Sequence, residues 1–172
     1  MIIFDNKKEY KKVVFERGGD KMVNLDYEIT SKTCAVKYRD EKSCIVIEGD
    51  SEIIIDKPIN KYLNYNCNYF GSSLEGRLKS SQMILGMKYK LPIIIEESKE
   101  IVFFPTSSPR KHNCTWISLN NIEKYEKDDL STVVTFITGK KYKFDISLES
   151  FENQLLRASK LLLNLKNRKQ SI

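Results

Sequence analysis

The chain lacks any apolar run that approaches the ~20 residues needed for a membrane-spanning helix. Its first residues, Met1–Asp5, become charged at once and lack the apolar core of a signal peptide. These two absences argue against a membrane-embedded or secreted protein. The sequence therefore predicts a cytoplasmic protein with no membrane partner.

The sequence also has few of the groups that catalysis needs. It contains a single histidine, His112, and no G-x-S-x-G sequence that would place a serine nucleophile on a sharp turn. No G-x-x-x-x-G-K-[ST] or G-x-G-x-x-G sequence is present to bind the phosphates of a nucleotide. The adjacent carboxylates Glu96-Glu97 and Asp128-Asp129 are expected to be solvated. We therefore expect a protein that is not an enzyme.

Cysteine is sparse and scattered. The four cysteines are Cys34, Cys44, Cys67 and Cys114, with no C-x-x-C pair among them. In a cytoplasmic protein they are expected to be free and mostly buried. The one close His/Cys pair, His112 with Cys114, falls short of the four ligands typical of a structural zinc site. The sequence predicts neither a metal ion nor another cofactor.

Positive charge is in excess, and it is concentrated in particular places. The 29 Lys and Arg against 23 Asp and Glu give a net charge of +6 in 172 residues. Between Lys57 and Lys90 six cations accompany a single acid, Glu75, and from Arg157 to the end five cations accompany none. Such asymmetry is typical of a surface that faces phosphates. It would also arise from a solvated face and from cations at the C-terminus of a helix.

The length suits one domain preceded by a short segment of different character. Within residues 1–21, Lys7–Lys12 is polar, and Gly18-Gly19 interrupts any element that follows. Arg17–Asp20 can be encoded by a purine-rich string that resembles a ribosome-binding site just before Met22. Residues 1–21 are therefore either an N-terminal arm or an over-extended gene start, and residues 22–172 form the single domain.

Short runs rich in β-branched residues predict a series of strands. They are Leu25–Thr30, Cys34–Tyr38, Ser43–Glu48, Ser51–Ile55, Pro92–Glu97, Glu100–Phe104, Cys114–Leu119, Ile122–Glu126, Thr132–Thr138 and Lys141–Ile146. Turn residues at Gly49-Asp50, Ser98-Lys99 and Gly139-Lys140 join three pairs of them into hairpins. Pro105–Asn113 is expected to be a loop.

Helices are predicted in two places. Ser72–Met83 is expected to be a short central helix, weakened by Gly76, after an irregular or helical stretch over Pro58–Tyr69. At the C-terminus Ser147 can cap a longer helix whose apolar residues recur at steps of three and four and so form one stripe. That stripe comprises Leu148, Phe151, Leu155, Ala158, Leu162 and Leu165.

Three further leucines, Leu156, Leu161 and Leu163, extend the apolar surface of the C-terminal helix. The helix therefore either closes the core alone or also meets another subunit. Together the elements predict an α+β fold, because strands dominate and no regular βαβ alternation appears. We expect a mostly antiparallel sheet, or a small barrel or sandwich, with a short central helix and an amphipathic C-terminal helix. A pleckstrin-homology-like arrangement is one candidate.

The stretch Cys67–Arg77 combines two aromatics, two glycines and two serines just before further basic residues. Gly71 allows a positive φ, and Ser72 or Ser73 can then cap the helix that follows. A turn of this kind also presents amide groups to which a phosphate could bind. The stretch is therefore either a structural cap or a contact to an anion.

The same stretch carries a family resemblance. C-x-[YF]-F-G-S-S-x-x-G-R, as it stands in Cys67–Arg77, resembles the signature of the competence transcription factor (ComK) family of Firmicutes. Further matches follow in the same order: Pro92–Ile95, Ile101–Ser108, Cys114–Ser118, Val134–Phe136 with Gly139, and Ile146–Gln154 with Arg157. The resemblance extends from Leu25 to Leu162.

The resemblance implies an activator of DNA-uptake genes that binds AT-rich double-stranded DNA, mainly through the minor groove, as dimers that pair into tetramers. Minor-groove proteins use Arg, Lys, Asn and Gln side chains. The candidate contacts, chosen by charge and position, are Ser72, Ser73, Arg77, Lys79, Arg110, Lys111 and Arg157. Asn153 and Gln154 are expected on the polar side of the C-terminal helix, with packing or capping as their alternative role.

An alternative function remains open. A protein with the same fold could bind another regulator through the last helix and bind DNA weakly.

The sequence departs from the family pattern in one place. It ends at Ile172, without the apolar-aromatic tail that an adaptor–protease system recognises in family members. That recognition, and the full tetramer interface, are therefore not expected here.

Overall fold

In the computed structural model, which describes residues 27–111 and 113–171, nine strands form two antiparallel sheets. The strands are β1 Thr33–Tyr38, β2 Cys44–Glu48, β3 Ser51–Ile55, β4 Ile93–Glu96, β5 Ile101–Pro105, β6 Trp116–Ser118, β7 Ile122–Asp128, β8 Ser131–Phe136 and β9 Lys141–Phe144. The larger sheet has the order β3-β2-β1-β6-β5-β4, and the smaller sheet has the order β7-β8-β9.

Three α-helices accompany the sheets within the described residues. They are α1 Ile59–Tyr69, α2 Leu74–Leu85 and α3 Leu148–Gln170. Ser73 and Ser147 cap α2 and α3, because each hydroxyl accepts a hydrogen bond from the amide three residues later. Gly86 ends α2 in the left-handed conformation, with a φ of 66°.

Both faces of the larger sheet are buried, which explains why its strands are apolar along most of their length. Alternate side chains of a strand point to opposite faces. On one face Val46 packs in a cluster with Leu63 of α1. On the other face Ile47 and Phe104 pack in a second cluster with the smaller sheet and with Phe151 of α3. The molecule therefore has three layers, with the larger sheet in the middle.

Helix α2 covers the edge of the larger sheet at β4. Its Leu74 and Leu78 pack on the cluster beneath α1, whereas Ile84 and Leu85 reach the cluster beneath α3. Helices α2 and α3 contact one another beside this edge. The helix thereby protects backbone groups that an open edge strand would expose.

The strand register defines two opposite ends of the larger sheet. Tyr38 pairs with Cys44, Cys44 with Ile55, and Trp116 with Pro105, so these residues lie at one end. The loops at this end are residues 39–43, 56–58, 86–92, 106–111 and 113–115. The opposite end carries residues 28–32 and the turns at 49–50, 97–100 and 119–121. Connections between antiparallel strands thus divide into two groups.

The α+β class, the three hairpins and the serine caps are confirmed. A closed barrel is wrong, because the larger sheet is open and its outer strands β3 and β4 stand at opposite edges. The structure has two helices where one central helix was predicted. Within Pro58–Tyr69 the residues Ile59–Tyr69 form α1, and Gly71, with a φ of 79°, turns the chain before α2 begins.

The first predicted strand, Leu25–Thr30, is wrong over the part that the structure describes. Residues 27–30 adopt no strand, and the amide of Ile29 donates instead to the side chain of Asn66 at 2.6 Å. Leu25 lies outside the described residues, as does the predicted N-terminal segment, residues 1–21.

The predicted apolar stripe of α3 is confirmed at Phe151 and Ala158, which are fully buried. Leu161, predicted among the additional leucines, belongs to the core, while Leu156 and Leu163 are more than half exposed. Across the described residues, no helix combines the length and the apolar character that crossing a bilayer requires.

The prediction of free, buried cysteines is also confirmed. Burial raises the pKa of Cys44 to about 12 and that of Cys67 to about 11. At neutral pH both groups are therefore protonated, and they pack as small apolar side chains.

Phe151→Ala should lower the free energy of unfolding by about 3–5 kcal/mol, because it removes a buried ring that contacts Phe104 and Tyr125 and leaves a cavity. Leu156→Ala, on the exposed side of the same helix, should change it by less than about 0.5 kcal/mol. Urea unfolding followed by the fluorescence of Trp116 measures both. Equal losses would contradict the orientation of α3.

Candidate nucleic-acid interface

One end of the larger sheet carries most of the unbalanced positive charge. Segments 39–43, 56–61, 86–92, 106–111 and 113–115 meet there, and we call this region the basic end. Its eight cations are Arg39, Lys42, Lys57, Lys61, Lys88, Lys90, Arg110 and Lys111, and its three carboxylates are Asp40, Glu41 and Asp56. The excess of five positive charges is close to the net charge of the whole chain, +6.

Most cations of the basic end face solvent. The exposed ones are Lys42, Lys61, Lys88, Lys90, Arg110 and Lys111. Within residues 27–111 and 113–171, none of these six forms an ion pair. The ammonium of Lys57 lies 4.1 Å from the centre of the Tyr65 ring. Cations that face water without carboxylate partners produce a strong local positive potential.

Asp40, one of the carboxylates at this end, serves the turn between β1 and β2. It accepts hydrogen bonds from the Ser43 hydroxyl at 2.7 Å and from the amides of Lys42 and Ser43 at 2.8 Å. These bonds, with the Ser43 hydroxyl first, lower the pKa of Asp40. The carboxylate thus stays ionised and holds the loop that presents Lys42.

A buried glutamine joins two segments of the basic end. The side-chain amide of Gln154 donates to the carbonyls of Pro105 at 2.6 Å and of Lys90 at 3.1 Å. Pro105 leads into the loop that carries Arg110, so one side chain holds both segments in place. The prediction that Gln154 lies on the polar side of the helix is wrong, because its side chain is buried to satisfy these carbonyls.

Arg157, one turn further along α3, is half-buried behind the same segment. Its guanidinium donates to the carbonyl of Tyr89 and to the side-chain oxygen of Gln154, both at 3.3 Å. The structure therefore places Arg157 at the basic end as a support for residues 88–90.

The opposite end of the sheet is acidic, and we call it the acidic end. Its carboxylates are Glu28, Glu48, Asp50, Glu52, Glu96, Glu97 and Glu100, with Lys32 and Lys99 as the cations of the same segments. The C-terminal part of α3 brings Lys169 to Glu97 and Lys166 to Glu100. The acids of this end thus anchor the last turns of α3.

Arg77 also pairs at the acidic end. Its guanidinium lies 2.9 Å from the Glu97 carboxylate, and its side chain is only 15% exposed. The hydrogen bond from Lys169, followed by that from Arg77, lowers the pKa of Glu97 against the opposing effect of burial. Arg77 is therefore directed into the protein, and it joins α2 to the turn between β4 and β5.

The turn at Gly71–Ser73 is occupied by hydrogen bonds of the chain itself. Three amides already donate: Ser72 to the Cys67 carbonyl (2.8 Å), Leu74 to the Asn64 side chain (3.0 Å) and Gly76 to the Ser73 hydroxyl (3.0 Å). The turn also shares a surface pocket with Glu96 and Glu97, whose charge opposes the binding of an anion. These contacts favour the structural role of the turn.

Lys79 lies on α2, between the two ends of the sheet. Its ammonium is 2.8 Å from Glu75, one helical turn earlier, and both side chains are about three-quarters exposed. Exposed pairs of this spacing contribute little to stability, so this pair is readily broken. Lys79 shares a surface pocket with Gly86 and Lys88, so it borders the basic end.

The structure therefore brings Arg110, Lys111 and Arg157 to the basic end, with Lys79 at its border. It places the other predicted contacts, Ser72, Ser73 and Arg77, beside the acidic end. Sequence reasoning did not select the remaining cations of the basic end, Arg39, Lys42, Lys57, Lys61, Lys88 and Lys90. Four of them, Lys57, Lys61, Lys88 and Lys90, belong to the cation-rich stretch that the sequence shows, but the strand order is needed to place them at one end of the sheet with Arg39 and Lys42.

Comparison with known proteins gives two matches. The family model of the ComK protein matches residues 24–170. The competence transcription factor of Bacillus subtilis (strain 168) is 32% identical over 146 residues, which are 83% of this chain and 76% of that protein. No solved structure matches the chain.

Glu97→Gln should lower the melting temperature at pH 7. The free energy of unfolding should fall by about 1 kcal/mol, because Arg77 and Lys169 lose their anionic partner. The loss is no larger because a third of the Glu97 side chain is exposed and solvent screens its charge. Because the folded-state pKa of Glu97 is depressed, its contribution is present above the unfolded pKa and is lost as pH falls through the folded value. The difference in melting temperature between Glu97→Gln and wild type should therefore disappear below about pH 4.

Glu123→Gln is the matched control, because it removes the same charge from an exposed position on β7. Its melting temperature should follow wild type at every pH. Thermal unfolding by circular dichroism from pH 3 to 7 measures both variants. A Glu97→Gln gap that stayed constant down to pH 3 would contradict the assigned role of the carboxylate.

Proposed function

The chain belongs to the ComK protein family, and we propose that it is a transcription activator of competence genes that binds duplex DNA through the basic end. The observation that carries this proposal is the concentration of eight cations against three carboxylates at one end of the larger sheet. The Bacillus subtilis relative, named a competence transcription factor, supports the regulatory role. The protein acts as a non-enzymatic regulator in the cytoplasm.

Electrostatics supply most of the affinity in this proposal. Each phosphate neutralised by a lysine or arginine releases condensed counterions from the duplex. The start of α1 adds to the positive potential, since it lies at the basic end and has no acidic residue in its first turn. The exposed, unpaired Lys88, Lys90, Arg110 and Lys111 are the leading contacts, with Arg157 behind them.

The shape of the basic end favours the minor groove. Seven of its eight cations lie on loops, and Lys61 lies on a helix, in the first turn of α1. Within the described residues the basic end therefore presents no helix with a row of cations like that of a major-groove recognition helix. Single loop side chains fit the narrower minor groove, and A·T-rich tracts narrow it further and strengthen its negative potential. We therefore propose AT-rich DNA as the target, keep Lys79 as a contact at the border of the basic end, and leave Ser72, Ser73 and Arg77 out of the interface.

Binding to paired AT-rich boxes requires more than one copy of the protein. Leu156 and Leu163 are both more than half exposed and stand two turns apart on one side of α3. We propose that they pack against the same helix of a second copy. The same leucines would serve the alternative function, in which α3 binds another regulator and the protein binds DNA weakly.

Fluorescence anisotropy of a labelled duplex with two AT-rich boxes, across a salt series, tests the proposal. The wild-type protein should prefer this duplex to a GC-rich one of equal length and should lose affinity steeply with salt. Arg110→Gln/Lys111→Gln should weaken binding and reduce the slope of log affinity against log salt by about 2, because about 0.9 is lost per phosphate contact.

Lys32→Gln/Lys99→Gln is the matched control, because it removes two exposed cations from the acidic end and changes the net charge equally. This variant should bind as wild type does. Equal weakening by both pairs would show that net charge alone drives binding. A flat salt dependence with a folded wild-type protein would favour the protein-interaction alternative.

A further inference from the structure

Tyr89 is a large aromatic side chain left in solvent at the basic end, in the segment that joins α2 to the edge strand β4. Its side chain is 78% exposed, and its chain neighbours Lys88 and Lys90 are exposed cations. A solvent-exposed tyrosine contributes little to the core, so the stability of the fold does not explain its position. The position does suit contact with a molecule that carries both phosphates and apolar surface.

The backbone that presents Tyr89 is fixed from both sides. Gly86 ends α2 in the left-handed conformation, and buried Leu91 begins the approach to β4. Between them the Tyr89 carbonyl accepts from Arg157 at 3.3 Å, and the Lys90 carbonyl accepts from the side chain of Gln154. Residues 88–90 are thus a short segment whose backbone is held by hydrogen bonds and whose central residue, Tyr89, exposes its ring to solvent.

The segment also contains local strain. Lys90 has a φ of 50°, in the left-handed region that residues with a Cβ rarely adopt. Such a conformation persists only where surrounding contacts enforce it, and here Gln154 supplies one of them. The conformation of Lys90 is thus held by a contact that also fixes the backbone next to Tyr89.

We propose that Tyr89 is a wedge that inserts between stacked base pairs from the minor groove, an inference that rests on the proposed DNA-binding function. Minor-groove proteins often insert apolar side chains in this way and kink the duplex towards the major groove. Lys88 and Lys90 would bind the phosphates on either side of the opened step. Pyrimidine–purine steps unstack most readily, so the wedge directs the protein to TA steps within AT-rich DNA.

The choice of Tyr89 over other exposed apolar residues follows from its surroundings. Tyr69 is also exposed, at 57%, but it ends α1 beside the acidic end. Leu130 and Ile137 lie in turns of the smaller sheet. Among the exposed large apolar side chains of the described residues, Tyr89 is the one whose two chain neighbours are unpaired cations.

The test places 2-aminopurine at a TA step of the AT-rich duplex and a donor–acceptor pair at its two ends. Saturating wild-type protein should raise the 2-aminopurine fluorescence through unstacking and shorten the end-to-end distance through bending. Tyr89→Ala should bind about tenfold more weakly and abolish both signals at saturation, with the salt slope unchanged. Tyr89→Phe, which keeps the ring, should retain both signals and bind within about twofold of wild type.

Tyr69→Ala is the matched control, since it removes an exposed tyrosine from the other end of the molecule, and it should behave as wild type. A Tyr89→Ala variant that unstacks and bends the duplex as wild type does would overturn the wedge while leaving the basic end as the DNA-binding surface. Failure of the wild-type protein to bind the duplex would overturn both proposals together.

Discussion

The constraint on which the structure depends is that the larger sheet is covered on both faces. Side chains such as Val46 and Ile47 are buried on opposite sides of one strand, so the strands leave almost no place for a charge. Charged residues of the larger sheet consequently lie within two positions of a strand end or in the loops beyond the strands. Antiparallel pairing then sends alternate loops to opposite ends, and this separates the basic end from the acidic end.

The two ends differ in what their charges do. At the acidic end Glu97 and Glu100 pair with cations of α2 and α3, so charge there is used to hold helices against the sheet. At the basic end most cations have no such partner among the described residues and remain available to an external polyanion. A charge distribution of this polarity also orients the molecule as it approaches DNA, since the two ends respond oppositely to the field of the phosphates.

Local signals in the sequence predict the elements well because their causes are local. Ser73, Ser147 and Gly71 determine turns and caps within a few residues of themselves, and the leucine periodicity of α3 determines which side is buried. The orientation of the Arg77 side chain depends on Glu97, twenty residues later. The burial of the Gln154 side chain depends on carbonyls 49 and 64 residues earlier. Such contacts follow from the strand order, which composition and periodicity do not specify.

The hydrogen bonds of Gln154 have a mechanical consequence. A single planar amide donates to the carbonyls of both Pro105 and Lys90. It therefore holds the loop that follows Pro105 at a fixed separation from the segment that contains Lys90. The basic end therefore presents these two segments at a fixed spacing and not as two independent loops. Under the proposed function, two cationic segments at a fixed separation would favour a groove of matching width, so selection would depend on the width of the groove more than on the identity of any base.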